Sequence, residues 1–317
     1  MLERQYDPAV AVPARPAREA DVLPLLPRRR PAAALLAALR PRQWTKNLLL
    51  LAGIVFAAQV ADPSRWLRAL LAFAVYCAAS STAYLLNDLR DVEDDRRHPL
   101  KRRRPLARGE LTPRTAAVTA GALGAAGLAG AALLGLGALG LLVLFLGLQA
   151  AYTLRLKHVV LVDVMAIAAL FVVRAAAGAE AVDVRISPWL LVCTALLALF
   201  LALGKRRGEL VLVGAERAPG RPVLTGYSLA LVDQLVTIVA AATVVAYSVY
   251  ALTAHETQAL AWTVPFVVFG VFRYLLLLHR SGVGEEPENV LVRDAPILVA
   301  VVLWAASCAA ILLLLEG

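Results

Sequence analysis

"YLLNDLRDVEDDRRHP" (Tyr84–Pro99) closes one of the most apolar stretches of the chain with five carboxylates and interleaved arginines. Charge this dense, directly after a segment this apolar, reads as a helix leaving a lipid bilayer. Of the 317 residues, 60% are hydrophobic, and the mean hydropathy is +0.71, whereas a soluble domain is about half apolar. Apolar blocks of the roughly 20 residues a helix needs to cross a bilayer recur from Leu48 to the C-terminus. Lipid offers an open backbone no hydrogen-bond partner, so each block is expected to be a helix. The fold class is therefore an all-α integral membrane bundle.

Nine spans are expected, at 45–61, 66–87, 115–133, 137–154, 160–179, 188–204, 227–252, 259–278 and 295–315. Their sidedness follows from the basic residues. With the N-terminus in the cytoplasm, all of the 32 Lys and Arg fall on the cytoplasmic side except Arg65, Arg68, Arg185 and the intramembrane Arg174. A missed span would scramble that alternation. The net charge of +9 then belongs to one face, where it suits anionic headgroups or phosphorylated substrates; nothing points to nucleic acid. Residues 1–40, rich in Pro, Ala and Arg, read as a disordered basic tail, ahead of a transmembrane domain over 41–317. The polar stretch before the first span, with no small-residue cleavage site after a short apolar core, argues against a removable signal peptide.

If the second span continues as a helix through the opening motif, Asp88, Asp91 and Asp95 fall at i, i+3 and i+7, on one face. Carboxylates so close repel or shift their protonation unless a cation lies between them. An oxygen-only donor set suits a hard divalent cation, and Mg2+ commonly completes its octahedron with substrate phosphates. The group expected there is a diphosphate. Without a metal, the same acids are a solvated loop balancing its arginines. The next stretch, "HPLKRRRPLARG" (His98–Gly109), brings Lys101 and Arg104 into the same loop. Those cations serve either topology or the neutralisation of a departing diphosphate.

At these residues the chain resembles the UbiA-type membrane prenyltransferases. Asn87-Asp88-x-x-Asp91-x-x-x-Asp95 looks like the first aspartate-rich motif of that nine-helix superfamily, where it holds Mg2+ on a prenyl diphosphate. A fuller set of stretches is similar to one branch, the decaprenyl-phosphate phosphoribosyltransferases: "LRPRQWTKNLL" (Leu39–Leu49), "AYTLRLKHVVLVDV" (Ala151–Val164), "LGKRRGEL" (Leu203–Leu210) and "GVGEEPENVLVRD" (Gly282–Asp294). The resemblance runs from about residue 36 to the C-terminus. It implies transfer of 5-phosphoribose from phosphoribosyl diphosphate to a polyprenyl phosphate, with release of diphosphate, in the supply of cell-wall arabinan. It also implies a multi-pass enzyme of the plasma membrane with its active site facing the cytoplasm.

The resemblance makes Asn87, Asp88, Asp91, Asp95 and Asp163 catalytic, the first three aspartates as metal ligands. Lys46, Lys101, Arg104, Tyr152, Lys157, Arg174, Lys205 and Arg206 become candidates for substrate phosphates. Asp163 is a single aspartate where the superfamily's second motif is expected, which leaves open whether it takes metal or ribose hydroxyls. Read without the family, Tyr152 is an interfacial aromatic and Lys157, Lys205 and Arg206 are topology charges. Arg174 should face the bundle interior, because lipid exposure would be costly; Asp233 could pair with a buried cation, which the sequence does not name. The lipid phosphate is already an anionic nucleophile, so no general base is expected, and in-line attack should invert the anomeric carbon.

Cys77, Cys193 and Cys308 stand singly in apolar spans and read as small buried hydrophobes. His158, His255 and His279 lack zinc spacing. The glycines of Gly121–Gly140 suit close packing of the third and fourth spans through small residues, within a protomer or between copies in a homo-oligomer. Two other readings compete. An ordinary UbiA-type prenyltransferase, moving a prenyl group to an aromatic or other small acceptor, would use the same first motif. A transporter could use Arg174 and Asp233, but the acids gather at one face instead of forming a relay.

Overall fold

A computed structural model describes residues 29–56, 62–97, 101–185, 188–213, 222–253, 258–280 and 294–315. Among these, every regular element is helical. Outside them lie residues 1–28 of the expected tail, 57–61 of the first expected span, His98, His255 and most of the 282–294 stretch.

The chain enters through a short helix, α1 (Pro31–Leu39), which ends on Arg40 in the left-handed region (φ 55°). This corrects the expectation of disorder for residues 31–39. Ala38, flanked by Leu35 and Leu39, packs against Leu85, Leu106 and Leu111, and that burial offsets the cost of ordering the chain. The next segment is a 3-10 helix over Pro41–Leu51, continued by α2 (Ala52–Phe56). The first expected span thus starts as a thin 3-10 rod.

α3 (Pro63–Arg90), α4 (Val92–Arg97), α5 (Pro113–Leu134), α6 (Leu136–Leu154), α7 (Val162–Ala181), α8 (Pro188–Val213), α9 (Leu229–Thr253), α10 (Val264–Arg280, behind a 3-10 turn at Gln258–Thr263) and α11 (Ala295–Leu315) follow. Among the described residues, eight helices are long and apolar enough to cross a membrane, and they coincide with eight of the nine expected spans. Helices of that length and composition are those of a multi-pass membrane protein. Prolines open α3, α5 and α8, where a missing N–H costs nothing. The Asp62 carboxylate and the Thr112 hydroxyl accept free N–H groups of the first turns of α3 and α5. Gly135, at φ 129°, makes the one-residue corner between α5 and α6.

α7 is the axis of the bundle. It packs on α6, α8, α3 and the 3-10 segment, and its residues join two apolar cores, one with α8, α9 and α10 and one with α3, α5 and α6. Against the 3-10 segment and α2 the approach is backbone to backbone: a Cβ on Gly53 of α2 would come 2.9 Å from the Ala179 Cα, and one on Gly178 would meet the Leu50 backbone. The glycines of α5 face α3 more than α6, unlike the pairing expected from sequence. A Cβ on Gly130 would come 2.7 Å from Val75 Cγ2. Large apolar residues such as Leu133, Leu136, Trp262 and Leu314 point outward, as a lipid-facing surface requires.

Two of the arginines that break the basic bias have structural employment at the far end. Arg68 donates to the carbonyls of Ala181 (2.6 Å) and Leu134 (3.0 Å), and Arg65 donates to that of Val182 (3.3 Å). They cap the C-termini of α5 and α7, where cations are favoured.

Candidate active site

Alternation of the helices brings the C-termini of α3, α6 and α8 and the N-termini of α5 and α7 to one end of the bundle. The charged motif lies there. α3 runs to Arg90; Asp91 breaks it at φ −96°, ψ 13°, and α4 resumes at once, with the Asp95 N–H still bonded to the Asp91 carbonyl at 2.8 Å. The near-continuous helix turns Asp88 and Asp95 inward, each 2% exposed, while Asp91 is half-buried. Glu93 points out and pairs with Arg96.

Two buried carboxylates in one place need a cation, and here it is a guanidinium. Arg104 Nη1 lies 3.1 Å from Asp88 Oδ1 and 2.6 Å from Asp95 Oδ2. A second arginine, Arg40, reaches Asp88 at 2.5 Å and stacks over the Tyr84 ring at 4.7 Å. Asp91 does not share this cation. Among the described residues, no three of His, Cys, Asp and Glu gather round a common point; the carboxylates on which the arginines close are Asp88 and Asp95. Asn87, half-buried, gives its carbonyl to the Asp91 N–H at 3.0 Å. Lys101 is half-buried on the adjoining 3-10 turn Lys101–Arg103.

A second cluster forms where α7 begins. Asp163 is fully buried; Arg206 Nε donates to its Oδ2 at 2.7 Å, and the Tyr227 hydroxyl donates to its Oδ1 at 2.6 Å. The same hydroxyl accepts the N–H of Leu161 at 2.7 Å, which pins that residue in the left-handed region (φ 67°). A second arm of Arg206 meets Glu209 at 2.5 Å. Both oxygens of Asp163 are thus engaged by protein donors, and the negative charge at the N-terminus of α7 suits the helix dipole. Lys205, Arg206 and Glu209 lie on α8 itself, which extends past the expected end of the sixth span. Tyr152, in the last turn of α6, and Lys157, on the 3-10 turn Leu156–His158 that leads into α7, are half-buried.

Arg174 does face the interior, at 5% exposure. Its Nε donates to Asn47 Oδ1 (2.9 Å) and its Nη1 to the Leu170 carbonyl (3.0 Å), and its guanidinium lies 4.6 Å from the centre of the Phe145 ring. Lys46 is half-buried on the neighbouring 3-10 turn. The cation for Asp233 is Arg207, at 2.5 Å. Arg40, Asn47 and Tyr227 carry no signal in the sequence beyond a basic residue before a proline, one polar residue in an apolar run and a lone tyrosine. A cleft of about 740 Å³ lies elsewhere, between α10 and α11, lined by residues such as Phe269, Phe272 and Pro296. It is an outward apolar groove and touches none of these clusters.

A helical membrane bundle with an acidic motif at the exit of its second long helix defines a class, and the comparisons agree with it. The chain belongs to the UbiA prenyltransferase family, which it matches over residues 47–290. It is 33% identical over 296 residues to the decaprenyl-phosphate phosphoribosyltransferase of Mycolicibacterium smegmatis, covering 88% of this chain and 92% of that one. The enzyme of the same name from Corynebacterium glutamicum is 34% identical over 283 residues, covering 86% and 85%. Among solved structures, a UbiA homolog from Archaeoglobus fulgidus bound to GPP and Mg2+ superposes with a TM-score of 0.68 at 20% identity, over 88% of this chain and 99% of that one.

Proposed function

We propose that this protein transfers 5-phosphoribose from phosphoribosyl diphosphate to a decaprenyl or similar polyprenyl phosphate, releasing diphosphate. The reaction is placed at the end of the bundle that carries Asp88, facing the cytoplasm in the plasma membrane, with nine spans and a cytoplasmic N-terminus. The observation that carries the diphosphate is the buried pair Asp88 and Asp95 closing on one shared cation. The sugar rests on the relatives named for that activity.

The donor set fits a hard divalent ion. Asp88 and Asp95 offer buried carboxylate oxygens, Asp91 lies one turn away, and Arg104 already stands in the cation's place. Asp88, Asp91 and Asp95 would hold Mg2+, with Asn87 beside them. When bound, Mg2+ supplies charge neutralisation on the diphosphate.

The residues themselves do the rest. Arg104 and Arg40, with Lys101, Lys46 and Lys157 at the same end of the bundle, offer donors for phosphate oxygens. As the bond from the anomeric carbon to diphosphate breaks, its electron pair leaves on the diphosphate, where those cations take up the charge. An oxygen of the lipid phosphate forms the new bond to carbon. No proton is transferred, so no general base is required, and configuration inverts. Asp163 acts by fixing Arg206 and the start of α7, keeping Tyr152 and Lys157 in place.

Purified protein with Mg2+, decaprenyl phosphate and radiolabelled phosphoribosyl diphosphate should yield a labelled lipid. Failure to do so, with activity on a prenyl diphosphate and an aromatic acid instead, would replace this reading by the prenyltransferase one.

A further inference from the structure

The most unusual charge in the bundle is Arg174, whose guanidinium has no carboxylate at ion-pair distance among the described residues. Every other deeply buried arginine has one: Arg206 has Asp163 and Glu209, and Arg207 has Asp233. Arg174 is instead held by neutral groups, Asn47 Oδ1 and the Leu170 carbonyl, and by the faces of Phe145 and Phe171. A buried cation left with its charge uncompensated calls for an anion.

Two polar groups on α3, which packs against α7, also lack partners. The hydroxyls of Tyr76 and Ser80, one turn apart on α3, are buried and make no hydrogen bond; the residues are 2% and 4% exposed. The Tyr76 ring packs at 5.1 Å against the same Phe145 that carries the Arg174 guanidinium. Asn47 ties the group together by donating to Cys77 Sγ at 3.4 Å. Buried hydroxyls are almost always satisfied, so two orphans and an unbalanced guanidinium on packed helices have the composition of an anion site.

We propose that Arg174, Asn47, Tyr76 and Ser80 form a phosphate-monoester subsite inside the bundle. Ser80 is eight residues before Asp88 on α3, and the Arg174 side chain runs back toward Leu170, seven residues past Asp163 on α7. At about 1.5 Å per residue, the subsite lies roughly 10–12 Å along the helices from the aspartates. The 5-phosphate and terminal phosphate of phosphoribosyl diphosphate are separated by about nine bonds, a reach on the order of 10 Å. One donor could therefore engage both sites, a conclusion that rests on the transfer reading above. The polyprenyl phosphate carries the same monoester chemistry and is the other source.

The experiment uses full-length protein in nanodiscs and compares wild type with Arg174→Gln, Arg174→Lys, Tyr76→Phe and Ser80→Ala. The last two remove hydroxyls that hold nothing in the ligand-free protein, so the melting temperature should not fall. Each is expected to raise one KM about fivefold, and Arg174→Gln to raise the same KM about tenfold or more, with kcat changing less and Arg174→Lys recovering part of the loss. A rise confined to phosphoribosyl diphosphate assigns the 5-phosphate; one confined to decaprenyl phosphate assigns the lipid phosphate. Unchanged KM for both substrates in Tyr76→Phe, Ser80→Ala and Arg174→Gln overturns the subsite. If wild type makes no labelled lipid, the transfer reading fails separately, and equilibrium dialysis with ribose 5-phosphate against farnesyl phosphate decides the subsite. Equal binding by wild type and Arg174→Gln in both arms would reject it.

Discussion

Replacing Arg206 by Met should damage this protein through Asp163, and the structure sets the scale. Asp163 is 0% exposed and Arg206 1% exposed, so solvent cannot replace a lost partner. With Arg206→Met, Asp163 keeps the Tyr227 hydroxyl at 2.6 Å but no counter-charge. Breaking a buried pair in this way costs about 3–5 kcal/mol. Asp163→Leu should cost less, because Glu209 still holds the guanidinium at 2.5 Å. The double variant, with both charges removed and their volume filled, should recover most of the loss, since an apolar replacement of a buried pair is often near neutral. The coupling in the cycle is then about 3 kcal/mol or more. The assay is equilibrium unfolding in mixed micelles for the four proteins, together with turnover. Turnover should stay low in the double variant, because the Arg206–Asp163 bond no longer fixes the start of α7 beside the turn that carries Lys157. Additive single losses, or losses under about 1 kcal/mol, would refute the buried-pair account.

Arg104→Gln removes the cation shared by Asp88 and Asp95; the ligand-free protein should lose about 2–4 kcal/mol, and Mg2+ should raise its melting temperature more than it raises that of wild type. Equal metal response in both proteins would deny that Arg104 stands in a cation site. Gly130→Val places branched atoms where a Cβ alone would lie 2.7 Å from Val75 Cγ2, so α3 and α5 should separate at a cost of about 1–3 kcal/mol, measured by unfolding in micelles. The Arg273 guanidinium, bonded to Asp294 at 2.9 Å, holds that carboxyl below its ordinary value. The stability it confers is present above the unfolded carboxylate pKa of about 3.9 and is lost as pH falls through the lower folded value. Melting temperature measured from pH 7 down to pH 3 should therefore fall less steeply at the acid end in Asp294→Asn.

Much of the fold was legible in the chain because lipid is a strict solvent. It permits few backbone solutions, so apolar length and the placement of Lys and Arg locate eight helices without reference to their neighbours. The interior placement of Arg174 and the need of Asp233 for a cation follow from the same cost of exposing charge to hydrocarbon. What the sequence determined by itself was thus span, class and the acidic exit of α3. Partners were another matter. That Arg104 is the cation between Asp88 and Asp95, that Tyr227 and Arg206 take both oxygens of Asp163, and that Asn47 meets Arg174 are contacts between residues on separate elements. Helical periodicity orients a side chain on its own helix, but which helix stands opposite is decided only when α7 packs at the centre of the bundle. The 3-10 course of Pro41–Leu51 accompanies that packing, where Gly53 and Gly178 let two backbones touch, and no property of the segment read alone announces it.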